Sequence, residues 1–336
     1  MDPLTQGIVA TTAAQSISTK KKIILASIIG FLSGLAPDID IFIRSTNDPL
    51  LFLEFHRQFT HSLFFIPIGG LVCSIFFYYL FARSYEFSFK ETYIYSTIGY
   101  ATHGIIDSFT TYGTQLLWPF TNERFAWNTV SVIDPLFTLP VISLCLITLI
   151  KKNTKYTYYA IAWMITYQFT GFIQKNRAEN IINNYAFKKG HEIANIEAKP
   201  SFANIVVWKV IYSDNTNYYV NAVRLGLDYT IYPGEVIKKL NMKNDFKWLN
   251  TSSQQYKDLE RFRWFSNDYL GVDKNNNNII YDIRFSAIPN EVEGLWGIRL
   301  DENKDINEHI EYVTNRSTSI DRYKKLIKMI FNQLDR

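Results

Sequence analysis

Glu54-Phe-His-Arg-Gln-Phe-Thr-His-Ser62 decides how the chain reads. It holds two of the five histidines, an arginine and two hydroxyls. Residues 63–82 follow as an apolar run interrupted only by Pro67, Gly69, Gly70 and Ser74, which is the length a helix needs to cross a bilayer. A polar, metal-capable cluster therefore stands at the mouth of an expected membrane helix. Two more clusters share that placement: Pro37-Asp-Ile-Asp40 closes the apolar segment 23–36, and His103-Gly-Ile-Ile-Asp107 lies late in the segment 92–109.

Outward from that stretch, membrane helices are expected at 63–82, 92–109, 130–150 and 156–173. Residues 4–18 and 23–36 add one or two short partial helices. At 1.5 Å per residue the second reaches only ~21 Å of a ~30 Å hydrocarbon core. Trp118, Phe120, Phe125 and Trp127 in the intervening loops fit an interfacial aromatic belt. Both cysteines, Cys73 and Cys145, lie in apolar blocks, which argues against a disulfide framework. The first residues carry no basic leader, so no cleavable signal peptide is expected.

Past residue 173 the composition turns mixed and charged. Strands are expected at 205–212, 217–225, 261–266, 279–287 and 294–300, with an amphipathic helix at 174–189 and a closing helix at 317–334. The fold expected is thus an α-helical membrane bundle, residues 1–173, with four spans plus the short partial helices, followed by a small α+β extramembrane domain, residues 174–336. A net charge of +4 leaves no nucleic-acid footprint.

Lysine and arginine in short loops set orientation. Lys20–Lys22, Arg83 with Lys90, and Lys151, Lys152 and Lys155 fall on one side if the spans alternate; that side should be cytoplasmic. Asp38, Asp40, His56, His61, His103, Asp107 and Asp134 then meet at the outer face, and residues 174–336 lie outside the cytoplasm.

His103 and Asp107 stand four apart, so a helix puts them on one face. His56 and His61 need a break near Thr60, acting as the N-cap of the next span, to converge. Asp38 and Asp40, alternating along an extended segment, point to opposite sides, so one can bind an ion while the other holds a histidine. Histidine and carboxylate together suit zinc, manganese or iron, with zinc first. Arg57 has the planar fork that clamps a phosphate-like oxygen; its plain alternative is an interfacial arginine. His191 and His309 read as ordinary surface residues.

These motifs, with Met1-Asp-Pro-Leu-Thr-Gln-Gly, Gly99-Tyr-Ala-Thr-His-Gly-Ile-Ile-Asp107 and Tyr112-Gly-Thr-Gln-Leu-Leu-Trp-Pro119, resemble the YdjM-like family of bacterial inner-membrane proteins. Arg261-Phe-Arg-Trp-Phe-Ser266 and Leu295-Trp-Gly-Ile298 extend the resemblance toward long members. It implies a metal-dependent hydrolase in the inner membrane, under LexA control in some members. Many members carry histidine where Gln6 stands here. On this reading a divalent ion sits among Asp38, Asp40, His56, His61, His103 and Asp107, with Asp38 or Asp107 taking a proton and Arg57 balancing charge. The substrate would be a phosphoester or a lipid-linked compound met among membrane lipids. The competing reading is a non-catalytic membrane protein with a structural or transport-related metal site and a C-terminal binding domain.

Overall fold

Asp2 starts the first helix, α1 (Pro3–Ser16), by accepting a hydrogen bond from the Thr5 amide at 3.0 Å, with proline at the first helical position. The computed structural model describes residues 1–315 and 320–333. Next comes α2 (Ile23–Leu35), which tightens into a 3-10 turn over Ala36–Phe42. After α3 (Leu51–Phe55), two further 3-10 turns, Phe59–His61 and Leu63–Phe65, lead into α4 (Ile66–Leu80). A capping box of Ser88 and Glu91 opens α5 (Phe89–Ser108). Asp134 caps α6 (Pro135–Lys151), and α7 (Lys155–Lys188) runs on through the stretch expected to be a separate amphipathic helix.

The chain divides into two compact units, the first made of residues 1–42, 55–173 and 202–205, the second of 43–54, 174–201 and 206–336. In the first, α1 packs on α2, α5 and α6, and α5 packs on α2 and α4. Hydroxyls and amides tie these helices at Thr5–Thr138 (2.7 Å), Gln15–Ser27 (3.1 Å) and Thr148–Thr157 (3.2 Å). Such bonds join helices where apolar faces alone have no preference for each other over lipid. Gly104 lets α5 approach the Phe59–His61 turn, because a Cβ there would collide with the His61 carbonyl oxygen.

Among the described residues two helical stretches, Ile23–Phe42 and Leu63–Leu80, are long and apolar enough to cross a membrane, and Pro135–Lys151 is a shorter apolar helix. The expected four spans are corrected accordingly. α5 carries Lys90, Glu91, His103 and Asp107 along its length, and the first half of α7 is rich in tyrosine and threonine, so neither meets the apolarity a lone span requires. The segment 23–36, expected to stop partway, gains its length from the turn that follows it.

The second unit holds two antiparallel four-stranded sheets. The first runs β1 (Asn195–Pro200), β2 (Val207–Ser213), β3 (Asn217–Leu225) and β4 (Tyr229–Lys238) in sequence order. β2 is buried at every position, and its Trp208, Ile211 and Tyr212 lie within the core. A short α8 (Met242–Asp245) and α9 (Gln254–Phe265) precede the second sheet. That sheet is β5 (Leu270–Val272), β6 (Ile279–Asp282), β7 (Trp296–Arg299) and β8 (Glu311–Thr314). The closing helix is α10 (Ile320–Ile330); residues 317–319 and 334 of the expected 317–334 lie outside the described residues.

Of residues 261–266, expected as a strand, 261–265 form the end of α9 and Ser266 is its C-cap. Ser253 caps that helix, and Leu259, Phe262 and Phe265 recur on its buried side. Helical spacing outweighs the strand preference of the aromatics. The strands expected at 279–287 and 294–300 are shorter than read, and a single bridge, Ser286 to Gly294, links the chain between them.

Candidate metal centre

The first unit brings Asp38, His61, His103 and Asp107 together: one ligand atom of each lies within 4.8 Å of every other. The 3-10 turn after α2 delivers Asp38, the turn before α4 delivers His61, and one face of α5 delivers the other two. The His61 and His103 rings sit 4.5 Å apart between centroids. His61, His103 and Asp107 have side chains at most 1% exposed, whereas Asp38 is 25% exposed.

Each histidine has one nitrogen engaged and one bare. His103 Nδ1 meets the Gly34 carbonyl oxygen at 2.6 Å, and since a carbonyl only accepts, Nδ1 carries the proton. His61 Nδ1 faces the Asp40 carboxylate at 3.1 Å and the Thr60 hydroxyl at 3.0 Å. Both Nε2 atoms are buried without a hydrogen-bond partner among the described residues. They face carboxylate oxygens instead: Asp38 Oδ1 lies 3.5 Å from His61 Nε2 and 3.3 Å from His103 Nε2, and Asp107 Oδ2 lies 3.6 Å from His61 Nε2. Those separations are long for hydrogen bonds. They match the ~3.3–3.6 Å edge of a tetrahedron built on metal–ligand bonds of ~2.0–2.2 Å. The donor set therefore fits a divalent ion.

Asp40 does different work. Its Oδ1 meets His56 Nδ1 at 2.7 Å, and its Oδ2 accepts from the Arg57 amide (3.1 Å) and the Thr60 hydroxyl (2.6 Å). With both oxygens engaged, Asp40 orients His61 and His56. His56 forms a second possible ligand group with Asp38 and Asp40, yet its short bond to Asp40 leaves no room for an ion between them. Asp38 and Asp40 were expected on opposite sides of an extended segment; they lie on a 3-10 turn and face opposite nitrogens of His61. The expected cap also moves: Ser62, not Thr60, accepts from the Phe65 amide, while Thr60 turns to Asp40.

Charge inside the cluster is partly balanced. Burial disfavours the His61 imidazolium, yet the carboxylates of Asp38, Asp40 and Asp107 outweigh it and hold its pKa above the ordinary value. Burial lowers the pKa of His56, with Asp40 opposing. Arg57, at a positive φ of 68°, places Nε 3.0 Å from Asp107 Oδ2 and donates from Nη1 to the Thr110 hydroxyl at 3.1 Å. Its guanidinium lies 5.2 Å from the centre of the Tyr112 ring. Gln6 Nε2 donates to Asp107 Oδ1 at 2.6 Å, and the Met1 amine pairs with the same oxygen.

Residues 1–178 match the family described as YdjM inner membrane protein. The chain belongs to the YdjM inner membrane protein family. All the cluster residues fall within that match, and the apolar stretches Ile23–Phe42 and Leu63–Leu80 agree with an inner-membrane protein. Two relatives align over shorter stretches. An uncharacterized protein YfhP of Bacillus subtilis is 27% identical over 33% of this chain and 33% of its own length. The inner membrane protein YbcI of Escherichia coli is 28% identical over 31% of this chain and 60% of its own length. The chain thus spans less than two thirds of either relative. No solved structure matches it.

Asp134 was expected at the level of the cluster. It caps α6 and accepts from the Tyr167 hydroxyl at 2.8 Å, outside the ligand groups. Thr110 and the Gly34 carbonyl had no sequence signal, and Thr60 was expected only as a cap, since a hydroxyl or backbone oxygen names no partner until the chain is folded. In the second unit His191 bonds the Tyr212 hydroxyl at 2.8 Å and His309 bonds Asp258 at 2.8 Å, so neither is a bare surface residue. Asp48, Asp258 and His309 also satisfy ligand spacing, but Arg261 reaches both Asp48 and Asp258 and supplies the positive charge itself.

Proposed function

We propose that the chain is a membrane-bound, metal-dependent hydrolase acting on a phosphoester or lipid-linked substrate at the membrane surface. His61, His103 and Asp107 would hold a divalent ion, with Asp38 at the accessible edge. The observation that carries this reading is the pair of buried, bare Nε2 atoms facing carboxylate oxygens at tetrahedral-edge distances. Two histidines and a carboxylate favour zinc over manganese or iron. When bound, the ion supplies Lewis acidity, lowering the pKa of a water and polarising the bond attacked.

The chain's own groups do the rest. Asp38, the partly exposed carboxylate, is the group placed to take a proton from that water. Asp40 holds His61 so that Nε2 stays bare. Arg57, steadied by Asp107, Thr110 and Tyr112, offers positive charge to an anionic group. The loop lysines are the ground for a multi-pass arrangement with the lysine-rich loops cytoplasmic and residues 174–336 outside. In that arrangement α5 crosses within the bundle, where His103 and Asp107 face protein rather than lipid.

One observation favours a structural centre instead: four donors complete a tetrahedron, as closed structural zinc sites do. Asp38→Asn separates the two readings. The hydrolase reading expects metal content to persist and turnover in a phosphoester screen to fall ~100-fold or more, the scale of a lost general base. Loss of both metal and thermal stability would instead identify Asp38 as a structural ligand.

A further inference from the structure

The one partly open member of the cluster has exposed apolar neighbours along the chain. Asp38 is followed on its turn by Ile39 (64% exposed) and Phe42 (78% exposed). That turn packs against α4 and the Phe59–His61 turn. Phe64, just before α4, is half exposed and stacks edge-on against Phe120 at 4.6 Å between centroids. The loop bearing Phe120 is laced to the histidine segment through Gln115 N to Arg57 O and Leu63 N to Leu116 O, both 2.9 Å. Buried polar donors and exposed apolar side chains thus stand within a few residues of each other on the same segments.

We propose that the site recognises an amphiphile, a phosphate head carried on a long hydrocarbon chain, rather than a water-soluble phosphoester. The head would enter at Asp38 toward the buried histidines, and the chain would lie across Ile39, Phe42, Phe64 and Phe120. A soluble phosphate compound gains nothing from exposed apolar groups carried on the segments that bear Asp38 and His61, whereas an alkyl chain gains from each side chain it covers. Membership of an inner-membrane family puts such a chain within reach. The inference rests on the hydrolase reading for the location of the head, and its test reads binding separately from turnover.

The experiment measures binding of dodecyl phosphate, dodecanol and inorganic phosphate to the full chain in a nonionic detergent with zinc present, and turnover of a long-chain phosphoester in parallel. Dodecyl phosphate should bind at least ~10-fold more tightly than either part alone, an advantage within what burying one or two large apolar groups supplies. The double variant Phe42→Gln/Phe64→Gln should remove that advantage and leave inorganic phosphate unchanged; Phe120→Gln alone should lower it in part. Inorganic phosphate binding as tightly as dodecyl phosphate would overturn chain recognition and leave the hydrolase reading standing. Dodecanol binding as tightly would overturn it too, by reducing these side chains to a greasy surface. Selective binding without turnover would uphold the amphiphile site and remove the hydrolase.

Discussion

Asp40 Oδ2 faces His61 Nδ1 at 3.1 Å while Asp40 Oδ1 meets His56 Nδ1 at 2.7 Å. One buried carboxylate thus fixes the orientation of two histidines. On the proposed reading this makes Asp40 a support for the ion rather than its ligand. Asp40→Asn keeps the shape but offers His61 a weaker acceptor on one side and a competing donor on the other. Metal affinity, read by competition with a chelator, should fall ~10–100-fold, the usual cost of losing such a partner. Unchanged affinity would deny Asp40 that role.

The sequence made the cluster legible wherever the spacing itself carries geometry. His103 and Asp107 on one helix face could be read at once, because four residues make about one turn. The division of labour between Asp38 and Asp40 could not be, because it depends on Thr60 and on the Arg57 amide, which only the fold brings to Asp40. In α9 the aromatics of 261–266 suggested a strand, and the helix became evident only from the Ser253 cap and the side that Leu259, Phe262 and Phe265 bury. Apolarity marks fewer spans than expected for a related reason. Apolar stretches inside a bundle can carry tyrosine, threonine and histidine where they face other helices, and α5 does so throughout.

The second unit gives a pH prediction independent of any ion. Lys209 on β2 is buried and donates to the Ser286 hydroxyl and the Glu291 carbonyl, both at 2.8 Å. Burial pushes its pKa down to about 7, against the opposing pull of Asp282. An ordinary lysine in the unfolded chain titrates near ~10.4, so between those values the unfolded state binds more protons. Stability from this group is therefore fully present above the unfolded value and is lost as pH falls toward 7. Relative to Lys209→Met, the native chain should gain up to ~1.4 kcal/mol per pH unit between pH 7.5 and 9.5, read by denaturant unfolding of the second unit. A difference that stays flat over that range would mean that Lys209 keeps its ordinary pKa.

The proposed sidedness rests on the lysines at 20–22, 90, 151, 152 and 155. A fluorescent protein that matures only in the cytoplasm, fused after Arg336, should stay dark in cells that express the chain. Bright cells would place residues 174–336 in the cytoplasm and reverse the proposed orientation.

Arg57 separates chemistry from scaffolding most sharply. Its Nε lies 3.0 Å from Asp107 Oδ2, Nη1 holds Thr110, and the guanidinium covers Tyr112. Arg57→Lys preserves the charge beside Asp107, and the residue keeps a backbone conformation that is equally uncommon for either side chain. What lysine cannot keep is a planar fork that bonds Thr110 and stacks on a ring while still presenting donors to an anion. If Arg57 acts on the substrate, the variant should retain full metal stoichiometry and lose turnover ~100-fold or more, the scale seen when a donor aimed at developing charge is removed. If Arg57 only neutralises Asp107, lysine should serve nearly as well and turnover should stay within a few-fold of the parent. Metal content, thermal stability in detergent and turnover, measured on one preparation, distinguish the outcomes. Retained metal with retained turnover would take Arg57 out of the mechanism and leave Asp38 as the reacting side chain of the proposal.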